Sequence, residues 1–197
     1  MPSRAAGWLP TGVALDRFVR MPRPEARERL GLDPRGRYVL FPADPGRPAK
    51  RPDRARELAA AAGAQLLALG RVAPSEVPYW VNAANAVVVP SDHEGFGLAA
   101  LEALACDVPV LATPVGNHPA ALDGIAGTLC APYDADVWGR ALTAHLDAFD
   151  PRVEGRARAA LWSAERMARR VLEAWVEVSG APLYSRSEAP SDGAVSI

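Results

Sequence analysis

A chain of 197 residues, 49% of them apolar, is long enough to bury one full core and leaves room for only a small second domain. Its net charge of −1 supplies no global basic field for nucleic acid or for an acidic membrane surface, so partners must be sought at local sites. Cys106 and Cys130 have no metal-ligand spacing and no apolar stretch near the start resembles a secretory signal or a membrane span, so a reduced, cytoplasmic protein without a metal site or resident cofactor is expected.

Residues 1 to 24 carry Pro2, Pro10, Gly12, Pro22 and Pro24 and read as an extended lead-in with a turn at Pro10 to Gly12. The run EARERLGL then predicts a short helix from Glu25 ending near Gly31, followed by a strand at Tyr38 to Phe41 stopped by Pro42. After the loop Pro42 to Asp53 come an alanine-rich helix and a strand from Gln65 to Leu69. A helix from about Ser75 to Ala84 precedes the β-branched strand AVVVP.

The same order repeats through the loop SDHEGFG, the helix LAALEALAC, a strand from Val108 to Thr113, a short helix after Pro119 and an apolar piece GTLC. Alternating strands and helices predict a doubly wound, Rossmann-like α/β domain over residues 25–180 with a parallel sheet covered on both faces. Two helices close it, Ala135 to Phe149 and a longer one from Arg156 to Val178, the latter with an apolar stripe from Leu161 to Val178. Residues 181–197 turn to Ser, Pro and Gly and read as a disordered tail.

In open parallel sheets ligands sit beyond the carboxyl ends of the strands, where loop amides and helix N-termini favour phosphate. Two loops have that character. In the first, Ser91 to Gly97, Gly95 and Gly97 flank Phe96 and allow the backbone to approach a phosphate closely; a simple glycine-rich turn is the alternative. The helix behind it is apolar except for Glu102, whose carboxylate needs donors, either vicinal sugar hydroxyls or a structural arginine.

The second loop holds Arg47 and Lys50 in proline-rich sequence. Twenty-one arginines stand against this one lysine, so its retention hints at a need for a compact charge, and the pair suits a diphosphate. A solvated surface loop is the alternative. Asp134 and Asp136 lie at a helix start after Pro132, where an N-cap explains them better than a metal pair. His93 borders the acidic loop, His118 lies in a turn and His145 on a helix face, none at metal spacing.

The segment SDHEGFGLAALEALACDVPVLAT resembles the signature of glycosyltransferase family 4, with two glutamates eight positions apart, and LPTGVALDRF, VNAANAVVVPS and LWSAERMARRVLEAW agree with it. The resemblance implies the C-terminal, donor-binding half of a retaining enzyme of the GT-B fold that needs no metal. It assigns Glu94 to the transferred sugar, the backbone of Gly95, Phe96, Gly97 and Leu98 to sugar and phosphate, Glu102 to the ribose, and Arg47 and Lys50 to the diphosphate. Base contacts are expected from the backbone near Gly70 to Val72.

Two features depart from the family pattern. The loop PVGNHPAAL has Asn117 and Ala120 where a second glycine and a glutamate are usual, and Arg47 and Lys50 stand closer together than is common. The implied partners are a nucleotide-diphosphate sugar and an acceptor-binding domain or chain outside these residues, with any membrane association through that domain alone. A nucleotide-sugar-binding module without catalysis and half of a sugar epimerase are the alternative functions.

Overall fold

The computed structural model of the chain describes residues 11–179. Five short, wholly parallel strands form one sheet: β1 Tyr38–Phe41, β2 Gln65–Ala68, β3 Ala86–Val89, β4 Val110–Ala112 and β5 Leu129–Cys130, in the order β2-β1-β3-β4-β5. The helices are α1 Arg23–Arg29, α2 Pro52–Ala61, α3 Val77–Ala83, α4 Leu98–Ala105, α5 His118–Leu122, α6 Ala135–Leu146, α7 Arg156–Ala159 and α8 Ala164–Ser179.

Because strand side chains alternate between faces, each strand feeds two cores. Val39, Phe41, Ala86, Val88 and Leu111 pack with α2 and α6, whereas Leu40, Val87, Val89, Val110 and Ala112 pack with α3 and α4. Burial on both faces accounts for the unbroken apolar runs YVLF and AVVV. The chain moves outward in one direction from β1 to β2 and in the other from β3 to β5, so a topological switch lies between β1 and β3.

The structure departs from the sequence reading at its margins. Residues 13–18 do not run free as a lead-in: Val13 forms a parallel bridge to Ser163 and Phe18 is fully buried, so this segment belongs to the core. Helix α1 starts at Arg23, two residues before the expected Glu25, because Pro24 falls in the first turn where its missing N–H costs nothing. Arg23 and Arg27 are buried and fasten this helix through guanidinium bonds to the carbonyls of Ala84, Phe149 and Pro151 and of Ala83 and Pro34.

Those two arginines are therefore structural forks rather than interchangeable positive charges. Burial, with the neighbouring Arg152 adding to it, lowers the pKa of Arg23 to about 9.

The long closing helix is broken. Ser163 takes an extended conformation to pair with Val13, which divides Arg156 to Val178 into α7, a 3-10 turn at Ala160–Trp162 and α8. Val171, Leu172, Trp175 and Val178 on α8 are all exposed, and no residue of that helix is buried. Helix α6 stops at Leu146, short of the expected Phe149. The tail expected over residues 181–197 and Pro10 of the turn expected at Pro10 to Gly12 lie outside the described residues.

Candidate functional site

Pro42 ends β1 and Pro90 follows β3, so both strands release their chains at the same edge of the sheet, beside the switch point. Between them opens a cavity of about 260 Å³ lined by Phe41, Pro42, Ala43 and Val89 at its floor and by Arg47, Lys50, Ser91, Glu94 and Glu102 around it. All four charged side chains singled out in the sequence therefore face one hollow.

The loop after β1 is stiffened by a 3-10 turn over Pro48–Lys50 and tied to the loop after β3 by the bond from Asp92 N to Ala49 O, 3.0 Å or less in length at 2.9 Å. Arg51 and Arg54 both reach Asp92 across the same seam. Lys50 Nζ donates to Glu94 Oε2 at 2.6 Å, and Ser91 Oγ donates to Glu94 Oε1 at 2.7 Å. Arg47 is exposed at the rim. The two loops thus present one solvent-facing guanidinium and one ammonium–carboxylate pair.

Gly97 caps α4 with φ of 99°, a left-handed conformation that a side chain rarely adopts, and a Cβ there would stand 2.7 Å from the His118 ring. The glycine at this position answers to both backbone conformation and close packing. Gly95, by contrast, has open space around it. Phe96 O accepts the backbone N–H of Asn117 at 2.8 Å, and Gly116 lies so close that a Cβ would meet Phe96 O at 2.8 Å. The loop after β4 is thereby clamped beneath the glycine loop.

Glu102 lies one face of α4 behind the glycines. It makes no hydrogen bond or ion pair to another described residue, so the structural arginine allowed by sequence is not at bonding distance; Arg17 acts on it only through its field. Burial raises its pKa to about 7, a rise that Arg17 only partly opposes. Asp134 is an N-cap, accepting the N–H of Val137 at 2.9 Å. His93 is exposed, His145 sits half-buried on α6, and Gly70 to Val72 follow β2 along the same sheet edge.

Sequence reasoning missed the buried polar layer under this site. His118 is fully buried at the start of α5, its Nδ1 2.9 Å from Thr113 O, and Thr113 Oγ1 donates to Ser91 O at 2.6 Å. A carbonyl only accepts, so Nδ1 carries the proton and Nε2 is left as a buried acceptor without a partner. Burial lowers the His118 pKa, which keeps the ring neutral. The signals were present in the turn sequence Gly116-Asn117-His118-Pro119, but nothing local said that the ring would turn inward.

The model of the family described as "Glycosyl transferases group 1" matches residues 42–148, more than half of the 197. The chain belongs to the group 1 glycosyltransferases. The matched span runs from the Arg47 loop through both glutamates to the end of α6, so all of the cavity lining except Phe41 lies inside it. A D-inositol 3-phosphate glycosyltransferase of Mycobacterium avium is 52% identical over 79 residues, 40% of this chain and 19% of that protein.

The Mycobacterium marinum D-inositol 3-phosphate glycosyltransferase is 30% identical over 215 aligned positions, 92% of this chain and 44% of that protein. The chain thus spans less than half the length of these relatives. Among solved structures, sucrose-phosphate synthase from Thermosynechococcus elongatus superposes with a TM-score of 0.67 at 24% identity, over 88% of this chain and 53% of that one. The C-terminal domain of the group 1 glycosyltransferase LpcC from Francisella tularensis gives 0.58 at 20% identity, over 81% of this chain and 98% of that one.

Anabaena Alr3699/HepE, solved in complex with UDP and glucose, gives 0.65 at 16% identity over 84% of this chain and 55% of that one. This glycosyltransferase chain therefore has the fold of a C-terminal GT-B domain, nearly the whole of the LpcC domain being matched. Among the described residues no helix is long and apolar enough to cross a membrane.

Proposed function

We propose that this domain binds a nucleotide-diphosphate sugar in the cavity at the β1/β3 switch point, as the donor half of a retaining glycosyltransferase. One observation carries the reading: Arg47, Lys50, Glu94 and Glu102, from three separate elements, line the same hollow at the carboxyl edge of the sheet. Arg47 and Lys50 bind the diphosphate, the backbone of Gly95, Phe96, Gly97 and Leu98 meets sugar and phosphate, Glu94 accepts from sugar hydroxyls, and Glu102 accepts from the ribose.

In transfer, charge develops on the departing nucleotide diphosphate, and fixed cations beside it stabilise that state more than the ground state. Lys50 is the better placed of the two, being held within the site, while Arg47 at the rim adds a bidentate fork. A structural neighbour solved with UDP makes uracil the first base to test, and the name of the curated relatives makes D-inositol 3-phosphate the first acceptor.

The acceptor comes from a second half, since the chain spans 44% of the length of its Mycobacterium marinum relative. The exposed apolar residues Val171, Leu172, Trp175 and Val178 of α8 give that half a place to dock. Calorimetric titration of the purified chain with UDP, GDP, ADP and their sugar conjugates tests the reading. Binding of at least one diphosphate, weakened in Lys50→Ala, is expected; absence of binding to all of them overturns it.

A further inference from the structure

Glu94 is held by more than its ion pair. Its Oε1 accepts from Ser91 Oγ at 2.7 Å; Ser91 is 1% exposed, and its own carbonyl accepts from Thr113 Oγ1 at 2.6 Å. Thr113 is 5% exposed, its backbone N–H bonds Val89 O at 3.1 Å, and its carbonyl accepts from His118 Nδ1 at 2.9 Å. A continuous polar chain thus runs from the start of α5, under the glycine loop, to the carboxylate in the cavity. Nothing about fold alone requires the last link, because Glu94 reaches the cavity from a loop whose backbone is already clamped through Phe96 and Asn117.

We propose that Thr113 and Ser91 are positioning residues, which fix the rotamer of Glu94 and thereby set how the site discriminates the sugar of its donor. The inference rests on the reading of the cavity as a donor site. Even on a clamped backbone a glutamate side chain has several rotamers, and ordering it on binding costs affinity; a buried hydroxyl donor that fixes it beforehand removes that cost. Lys50 on the other oxygen does not replace this restraint. When a diphosphate draws the ammonium toward itself, Ser91 becomes the contact that keeps Glu94 in place.

The test compares, for the full chain and its variants, the affinity of a bare nucleoside diphosphate with that of its glucose, galactose, mannose and N-acetylglucosamine conjugates by calorimetry. Thr113→Val keeps the shape and removes the hydroxyl donor; Ser91→Ala removes the direct contact and provides a second route if the valine variant folds poorly. Both should change the ratio of conjugate to bare-diphosphate affinity by about three- to tenfold, the scale of one net intramolecular hydrogen bond. Thr113→Val, whose side chain does not line the cavity, should keep its affinity for the bare diphosphate within about twofold. Thr113→Ser should restore the parent ratio.

In a Glu94→Gln background the effect of Thr113→Val on the ratio should largely vanish, since it acts through that side chain. A residue that merely supports the fold would lower thermal stability and leave the ratio unmoved. Ratios unchanged in both variants for every sugar, or a Thr113→Val effect that persists in full with Glu94→Gln, overturn the inference while leaving diphosphate binding intact. Failure of the parent to bind any of UDP, GDP or ADP is a different result, which overturns the donor-site reading itself.

Discussion

Lys50 is both a cavity-lining cation and the counter-ion of Glu94, with its side chain 17% exposed against 9% for the glutamate. Removing it takes a positive charge from the proposed diphosphate site and also removes the counter-ion of the Glu94 carboxylate. Lys50→Ala should therefore weaken nucleoside diphosphate binding by about 1.5 to 3 kcal/mol, the range for a charge-assisted bond, with little effect on a nucleoside. Titration of the variant with both ligands checks the split. Glu102 adds a pH signature, because burial raises its pKa to about 7.

A ribose donates its hydroxyls best to the ionised form, so diphosphate affinity should rise from pH 6 to pH 8 in the parent and flatten in Glu102→Gln. Stability moves the opposite way. A folded carboxyl with a raised pKa holds a proton that the unfolded chain has released, so its contribution to stability is lost as pH rises from the ordinary glutamate range near 4.5 through about 7. Melting curves of parent and Glu102→Gln should diverge in favour of the variant over that window. Parallel curves would show that the carboxyl is not desolvated in solution.

At the scale of elements, the central α/β pattern was legible because its signals are local. YVLF and AVVV are apolar runs that only a sheet covered on both faces explains, and each strand was found where its run lies. The Gly-rich loop before α4 and the cation loop before α2 followed from strand ends and helix starts. What was not legible depends on distant partners: Ser163 breaks a helical pattern because Val13, 150 residues away in sequence, pairs with it, and His118 turns inward because Thr113 O is there to accept. The Lys50–Glu94 pair joins residues separated by 44 positions, and no spacing rule anticipates it.

The same contrast sets the effects of substitutions on whole elements. Leu104 on α4 is fully buried, so Leu104→Ala should cost about 2 to 5 kcal/mol, whereas Trp175→Ser on α8, where the ring is 67% exposed, should change stability by less than about 0.5 kcal/mol. Chemical denaturation of the two variants measures both. A large loss at Trp175 would mean that α8 packs on something in the isolated chain.

For the molecule as a whole, the proposed function makes the sheet edge one wall of a cleft. Transfer requires donor and acceptor held together in one geometry, which a single wall does not provide, so the isolated chain should bind donor yet turn over little. The central claim is that the cavity at the β1/β3 switch point is a nucleotide-diphosphate site. Calorimetry of UDP, GDP and ADP against the parent, Lys50→Ala and Glu102→Gln addresses it most directly. The account predicts saturable binding of at least one diphosphate, weakened in both variants; no binding to the parent, or equal affinity in all three proteins, would contradict it.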